Sequence, residues 1–171
     1  MNINKELITN IKLDNLKAVK FILEKCKYTL VNYALRYASL YGQFNIVKFL
    51  IENGANVKTN NNQPIQSAST GGYLDVVRLL FENGADIHID NDKPLQYASY
   101  NGHIELVKFL VENGSNIHAE DNIIIETAKK HKQTDIINYF DTIIKSKKTK
   151  EIYNSYPSEY KIMRRNKKIK C

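Results

Sequence analysis

The amino-acid sequence predicts an all-α solenoid of about five helix-turn-helix units. The clearest observation is a sequence segment that recurs every thirty residues. It reads VKFLIENGANV at 47–57, VRLLFENGADI at 77–87 and VKFLVENGSNI at 107–117. An alanine recurs at the same interval, as Ala38, Ala68, Ala98 and Ala128. A fixed period of this size is the signature of a repeat architecture, in which each unit buries its apolar side against its neighbours.

The first helix of each unit is predicted by its start and end signals. Pro64 and Pro94 suit a first helical turn, where a missing N–H costs nothing and the fixed φ is favourable. An aliphatic residue and an alanine three positions later then lie on one face, as Leu95 and Ala98 do. A glycine follows, which can adopt the left-handed conformation that closes a helix end. These glycines are Gly42, Gly72 and Gly102.

The second helix of each unit follows directly and is also short. In HIELVKFLVENG, at residues 103–114, Ile104 and Val107 have helical spacing, and Gly114 ends the helix. Gly54 and Gly84 occupy the same place in the two preceding units. Isolated helices of fewer than about 12–15 residues are marginal in water. The units must therefore be stabilised by stacking on one another.

The units are predicted at about residues 3–32, 33–62, 63–92, 93–122 and 123–144, and together they make a repeat domain at 1–144. The first unit is spaced 28 residues from the second and has Cys26 where a glycine belongs. The fifth unit has Lys132 in place of its first glycine. Atypical terminal units are what a capped solenoid needs. The last helix is predicted to fray near Lys145, leaving residues 145–171 as a flexible basic tail.

The segment PLQYASYNGHIELVKFLVENGSNI, at residues 94–117, resembles an ankyrin repeat. PLQYAS matches the PLHxAA of that family, GHIELVKFLVENG matches its second helix, and GADI at 84–87 matches its GADV. The resemblance covers about residues 3–144 and implies an ankyrin-repeat solenoid. Lys, Asn, Ile and Tyr, which have A/T-rich codons, are abundant. With this composition, the units are similar to the ankyrin proteins encoded by A/T-rich giant DNA viruses of amoebae.

The chain departs from the family pattern in its connectors. Its central period is three residues shorter than the family period of about 33. The missing residues fall in GANVKTNNNQPI and GADIHIDNDKPL, which lack the family's D-x-x-G-x-T stretch. That stretch forms a β-hairpin finger, so short, blunt loops are predicted here. Gln66 and Gln96 replace the His of TPLH, which places the hydrogen bonds that the family draws from that His in question.

The resemblance implies a non-catalytic adaptor that binds a protein partner on the concave side of the stack. In the family the loops, the first helices and the two residues before G-H usually form this surface. Carried over position by position, the partner-binding residues are Arg36, Leu40, Tyr41, Gln66, Thr70, Gln96, Tyr100 and Asn101. Tyrosine is enriched among interface hot spots, although its abundance here also follows from codon composition. We expect a monomer with a small interface, and a host protein as partner if the chain is viral.

The sequence predicts neither an enzyme nor a bound cofactor or metal. It contains no phosphate-binding loop, nucleophile elbow, zincin helix or dinucleotide-binding glycine motif. His88 and His118 stand thirty residues apart, each with an acidic residue nearby. Neighbouring helices pack about 8–10 Å apart, whereas a zinc–nitrogen bond is about 2.0–2.1 Å. These histidines are therefore predicted to be structural residues of the connectors.

The positive charge of the chain is concentrated at its C-terminal end. Residues 145–171 carry ten Lys or Arg against two Glu, whereas the preceding residues carry fifteen against sixteen Asp or Glu. Basic clusters can direct nuclear import or bind nucleic-acid phosphates by releasing counterions. The alternative function is thus that of a nucleic-acid-associated or nuclear-targeted factor. A tail that only increases solubility and has no partner would explain the same charge. The tail residues in question are Lys147, Lys148, Lys150, Arg164, Arg165, Lys167 and Lys168.

The sequence also predicts the compartment. The N-terminus MNINKELITN is polar and charged, unlike a secretory signal. No stretch approaches the roughly 20 apolar residues of a membrane span. Cys26 and Cys171 make no disulfide framework. We expect an intracellular protein of the cytoplasm or nucleus, in a host cell if the chain is viral.

Overall fold

A computed structural model describes residues 2–26 and 29–155, without the side chains of residues 120, 121 and 148–155. This part of the chain contains ten α-helices and no strand. The helices are α1 (Ile3–Lys12), α2 (Leu16–Lys25), α3 (Val31–Leu40), α4 (Phe44–Glu52), α5 (Thr59–Gly71), α6 (Leu74–Glu82), α7 (Ile89–Asn101), α8 (Ile104–Glu112), α9 (Ala119–Lys130) and α10 (Thr134–Ser155).

The chain divides into two compact units, residues 1–136 and residues 137–171. In the first unit the odd-numbered helices, called first helices below, pack side by side in the order α1, α3, α5, α7, α9. Each of the first four also packs against the even-numbered helix that follows it, called its second helix. The alanines that recur every thirty residues are fully buried in the first helices. Their small side chains permit this close approach, so the predicted stacking of helix pairs is confirmed.

The second compact unit continues α10 from residue 137 to Ser155. Phe140 is buried there, with its ring centroid 6.2 Å from that of Tyr139. The predicted end of the helix near Lys145 was wrong. Residues 145–155 contain neither glycine nor proline, and Lys and Glu are favourable helix formers. Among the described residues, no helix has the length and apolar character needed to cross a membrane.

The connectors between units contain a left-handed turn rather than an irregular loop. Asn60, Asn61 and Asn62 have φ values of 48–56°, and residues 90–92 repeat this with φ values of 49–62°. Asn and Asp are the residues, apart from glycine, that adopt this conformation most readily. The right-handed helix starts directly after each turn, so Pro64 and Pro94 lie in its first turn as predicted. The predicted blunt loop is thus a compact turn built onto the helix start.

Side chains at the ends of these turns hold each connector to the next. In α3, α5 and α7, a side chain near the start of the helix accepts a hydrogen bond from the backbone N–H 24 positions later. The bonds run from Asn56 N to Asn32 Oδ1 (2.7 Å), from Asp86 N to Asn62 Oδ1 (3.0 Å) and from Asn116 N to Asp92 Oδ2 (3.1 Å). Asn61 Nδ2 also donates to the Asp90 carboxylate of the following turn (3.2 Å). Buried polar groups need such partners, and these bonds fix the spacing of successive units.

The terminal units keep the backbone of the central ones without their glycines. Asp14 and Lys132 stand where Gly42 and Gly102 stand in the neighbouring units, and their φ values are 52° and 56°. A left-handed conformation costs a non-glycine residue roughly 1–2 kcal/mol. The terminal units therefore tolerate strain at the positions where the central units use glycine.

Candidate functional site

The eight residues predicted to bind a partner lie on α3, α5 and α7 or directly after α3. Leu40 and Tyr100 occupy equivalent positions on α3 and α7, and 41% and 48% of their surfaces are exposed. Thr70, between them on α5, and Asn101 are also exposed. The remaining four are half-buried: Arg36, Tyr41, Gln66 and Gln96. The exposed and half-buried residues at 33–41, 63–71 and 93–101 are called the first-helix face below.

Arg36 lies beside two tyrosines of its own helix. The guanidinium carbon lies 5.4 Å from the ring centroid of Tyr33 and 4.8 Å from that of Tyr37. The two ring centroids are 4.9 Å apart. Arg36 Nη1 also reaches Gln63 Oε1 of the next unit, at 3.5 Å. A cation within about 6 Å of a ring centroid is attracted by the ring, so this cluster orients the guanidinium.

The two tyrosines influence each other's acidity in opposite directions. A side-chain hydrogen bond with Tyr37 raises the pKa of Tyr33, and burial adds to this increase. The same bond lowers the pKa of Tyr37, and the charge of Arg36 lowers it further. Sequence reasoning missed both residues, although Tyr33 stands three positions before Arg36 and four before Tyr37, spacings that place side chains on one helix face.

The middle helix of the face carries small side chains. Ser67, Thr70 and Gly71, called the central gap below, lie between the aromatic and aliphatic residues of α3 and those of α7. On one side are Tyr37, Leu40 and Tyr41, and on the other are Tyr97, Tyr100 and Asn101. The first-helix face therefore has bulky flanks and small side chains on its middle helix, where the ring of Tyr73 packs over Gly71.

The residue before each second helix links neighbouring units. Three polar side chains at this position donate to a backbone carbonyl of the preceding unit. Gln43 Nε2 donates to Lys12 O (3.3 Å), His103 Nε2 to Thr70 O (3.0 Å) and Gln133 Nε2 to Tyr100 O (2.9 Å). These side chains cross the preceding glycine closely: a Cβ on Gly72 would lie 2.5 Å from Cγ of His103. A larger residue at that glycine would displace the linking side chain.

Tyr73 occupies this linking position in the third unit and behaves differently. Its ring packs over Gly42 and Gly71, and a Cβ on Gly42 would lie 2.5 Å from Tyr73 Cδ1. About a third of Tyr73 remains exposed beside the central gap. Sequence reasoning missed this residue. In the sequence this position is Gln43, Tyr73 and His103 in successive units, so the aromatic residue was the visible difference.

Comparison with family models matches most of the region described above. Residues 7–91 match the model described as ankyrin repeats (3 copies), and residues 93–122 match the model described as ankyrin repeat. The chain belongs to the ankyrin repeat family. The resemblance and the ankyrin fold expected from the sequence are thereby confirmed. Ankyrin repeats are generally protein–protein interaction modules and typically non-catalytic. A comparison with curated proteins gave no match.

The histidines of the ankyrin stack have partners within the fold. His88 Nδ1 lies 2.8 Å from Asp92 Oδ1, and His118 Nδ1 bonds with Asn122 Oδ1. The His131 ring stacks against Tyr100, with centroids 4.1 Å apart. Among the described residues, no three His, Cys, Asp or Glu side chains are grouped as metal ligands would be.

The opposite side of the ankyrin units, formed by the exposed residues of α4, α6 and α8, is called the second-helix face. Arg78 lies over the Phe109 ring at 4.7 Å, and Lys108 Nζ pairs with Glu105 at 2.8 Å. Two cavities of 220 and 290 Å³ lie on this face, and both are bordered by Arg78. Phe44, which lines the smaller cavity, is 40% exposed. Three charged side chains of the second-helix face, those of Arg78, Glu105 and Lys108, are thus engaged with one another or with an aromatic ring.

The basic residues that were predicted to form a functional tail lie mostly outside the residues whose side chains the structure describes. Lys147 is exposed on α10. Lys148 and Lys150 belong to α10, but their side chains are not described. Arg164, Arg165, Lys167 and Lys168 lie outside the described residues.

Proposed function

We propose that this ankyrin protein is a non-catalytic adaptor that binds a protein partner through the first-helix face. The supporting observation is the pair of exposed apolar side chains on equivalent positions of α3 and α7, Leu40 and Tyr100. Aromatic residues that can be buried against a partner dominate the binding energy of interfaces. The smaller side chain of Thr70 lies between them on α5 and is also exposed. The family's general role in protein binding supports the same reading.

Affinity capture with matched surface variants tests this proposal. The full chain is used to capture partners from cell extract, and the same is done with Tyr100→Ala and with Phe44→Ala. Truncating a hot-spot residue costs about 2 kcal/mol or more, or about 30-fold in affinity. We expect Tyr100→Ala to lose the captured protein and Phe44→Ala, on the second-helix face, to retain it. The reverse pattern would refute binding through the first-helix face.

The basic C-terminal residues support a second candidate, binding to nucleic acid. Ten Lys or Arg in residues 145–171 are enough to neutralise several phosphates. Lys147 lies exposed on α10, beyond the first compact unit. If this function is real, affinity for a DNA duplex falls steeply with salt, and substitution of Lys147, Lys148 and Lys150 by Gln makes the dependence shallower. Duplex binding that ignores ionic strength would exclude it.

A further inference from the structure

Three of the second helices are followed directly by a chemically labile dipeptide. Asparagine and glycine stand after α4, α6 and α8, as Asn53–Gly54, Asn83–Gly84 and Asn113–Gly114, and a fourth pair, Asn101–Gly102, stands at the end of α7. The asparagines of all four pairs are exposed. Because glycine has no side chain to hinder the approach of its nitrogen, an asparagine that precedes glycine loses its amide group more readily than one that precedes a larger residue.

The reaction consumes only water. The backbone nitrogen of the glycine forms a bond to Cγ of the asparagine, the Cγ–Nδ2 bond breaks, and ammonia leaves with the proton of the glycine nitrogen. The product is a five-membered succinimide ring. Water then adds to one of the two ring carbonyls, and the bond between that carbonyl and the ring nitrogen breaks. This step leaves either an aspartate or an isoaspartate, in which the backbone runs through the former side chain.

The folded backbone keeps the two reacting atoms apart. Ring closure requires the glycine nitrogen to rotate about the Cα–C bond toward Cβ of the asparagine. After α4, α6 and α8 the asparagine ψ is 27°, 15° and 14°, which places the glycine nitrogen beside the asparagine's own backbone nitrogen instead. Each side chain also points back along its helix, since Nδ2 donates to the carbonyl four residues earlier. The acceptors are Phe49 O (2.8 Å), Leu79 O (2.8 Å) and Phe109 O (2.7 Å).

The attacking nitrogen is engaged as well. The glycine N–H after each of these helices donates to the carbonyl three residues earlier, at 2.9–3.1 Å. The pair at the end of α7 has the same protection, because Asn101 Nδ2 donates to Tyr97 O (3.0 Å) and Gly102 N to Ser99 O (3.4 Å). The reacting atoms can therefore meet only after the last turn opens. A hydrogen bond shifts an equilibrium about fivefold, so two that must break together lower the reactive population at least about 25-fold.

The product cannot rebuild the helix end. An ionised carboxylate has no N–H to donate, so the aspartate formed from Asn83 would turn an acceptor toward the Leu79 carbonyl. Negative charge is unfavourable at the C-terminus of a helix. A glutamate already stands one position earlier in each case, as Glu52, Glu82 and Glu112. Isoaspartate also adds a methylene group to the backbone, so neither product closes the turn as asparagine does.

We infer that the Asn–Gly pairs after α4, α6 and α8 are spontaneous deamidation sites, protected while the last turn of the helix is closed and converted when it opens. Because the conversion is irreversible, each one leaves its unit less stable than before. Conversions therefore accumulate according to how often each helix end opens. The inference does not depend on what the first-helix face binds.

The test is peptide mapping of the full chain by mass spectrometry after incubation in mildly alkaline buffer, with and without enough guanidinium chloride to unfold it. We expect Asn53, Asn83 and Asn113 to convert at similar rates in denaturant and at least about 25-fold more slowly in the folded chain. Asn56 is the internal control, because it is exposed but precedes Val57, whose branched side chain hinders ring closure. Equal rates in the two solutions, no conversion in denaturant, or conversion of Asn56 as fast as that of Asn83 would overturn the inference.

Two variants test the consequence for stability. Asn83→Asp reproduces one product, and Asn83→Ala is its matched control, because it removes the same hydrogen bond without adding a charge. We expect the equilibrium constant of unfolding to rise about fivefold in Asn83→Ala and about 10- to 25-fold in Asn83→Asp. Added salt should narrow the difference between the two variants. If Asn83→Asp were as stable as the unchanged chain, the inference would be overturned, because conversion would not weaken the unit.

Discussion

Replacing Gly72 with alanine should destabilise the protein more than the same change at Gly84. Both glycines have a left-handed φ, +73° and +92°, so alanine is strained at either position by about 1 kcal/mol. The surroundings differ. A Cβ on Gly72 would lie 2.5 Å from Cγ of His103, whereas nothing lies within 4 Å of a Cβ on Gly84. Only the change at Gly72 forces a neighbouring side chain to move.

The additional cost at Gly72 follows from the contact that is lost. His103 must rotate away from the new methyl group and release the Thr70 carbonyl oxygen, to which it is bonded at 3.0 Å. A hydrogen bond contributes about 0.5–1.5 kcal/mol, and overpacking adds about 1 kcal/mol or more. We expect a loss of about 2.5–3.5 kcal/mol in the free energy of unfolding for Gly72→Ala, against about 1 kcal/mol for Gly84→Ala.

Urea unfolding followed by circular dichroism measures this difference. With a slope of about 2 kcal/mol per molar urea, the midpoints of the two variants should differ by about 0.8–1.2 M. A double-mutant cycle with His103→Ala isolates the steric part. In that background, the effect of Gly72→Ala should fall to that of Gly84→Ala. Equal effects of the two single changes, or additive effects in the cycle, would refute the reasoning.

Three further changes test other parts of the structure. Asp92→Ala should cost about 1–3 kcal/mol of unfolding free energy, because Asn116 N loses its acceptor, and Asp92→Asn should cost less than half as much in the same urea assay. Ser69→Ala should raise the thermal midpoint, because the buried Ser69 hydroxyl has no hydrogen-bond partner among the described residues; a lowered midpoint would contradict this. Tyr33→Phe should raise the pKa of Tyr37, since the hydrogen bond from Tyr33 is the main cause that lowers it. A titration of ring-labelled tyrosines by nuclear magnetic resonance would show no change if that bond is absent.

The period of thirty residues was sufficient to predict the helix pairs and their stacking. Ala68 and Ala98 mark the side of each first helix that packs on its neighbour, and both are fully buried. This information is local, because every unit repeats the same apolar spacing and the same end signals. The long last helix was not predictable from the repeat, since residues 145–155 follow no unit pattern and continue α10 by helix propensity alone.

The left-handed turns could not be read from the sequence. TNNNQP and IDNDKP indicate a turn before a proline, but an Asn-rich turn can adopt several conformations. The conformation found here depends on Asn62 reaching the backbone of Asp86, and on Asn61 reaching Asp90 in the following turn. These bonds join residues 24 and 29 positions apart, so they exist only after the units have stacked.

The candidate site was predicted in outline through the family resemblance. Arg36 and Tyr100 were predicted from their positions in the repeat, but a position in the repeat does not predict which side chains contact it. The approach of Arg36 to the rings of Tyr33 and Tyr37 follows from rotamers that the repeat pattern does not specify. Tyr73 was missed because the pattern treats its position as a link between units, whereas its ring borders the central gap. Recognition residues are those at which the units differ from one another.

The bonds from Asn32, Asn62 and Asp92 each begin at the start of a first helix and end in the connector behind its second helix. The donor and the acceptor of each bond are therefore encoded within a single stretch of thirty codons. Duplication or loss of such a stretch would leave every remaining bond intact, whereas a shift of one codon in a connector would misplace the acceptor of the next link. This geometry permits the array to lengthen or shorten by whole units, whereas the insertion of a single residue between two units would break a link.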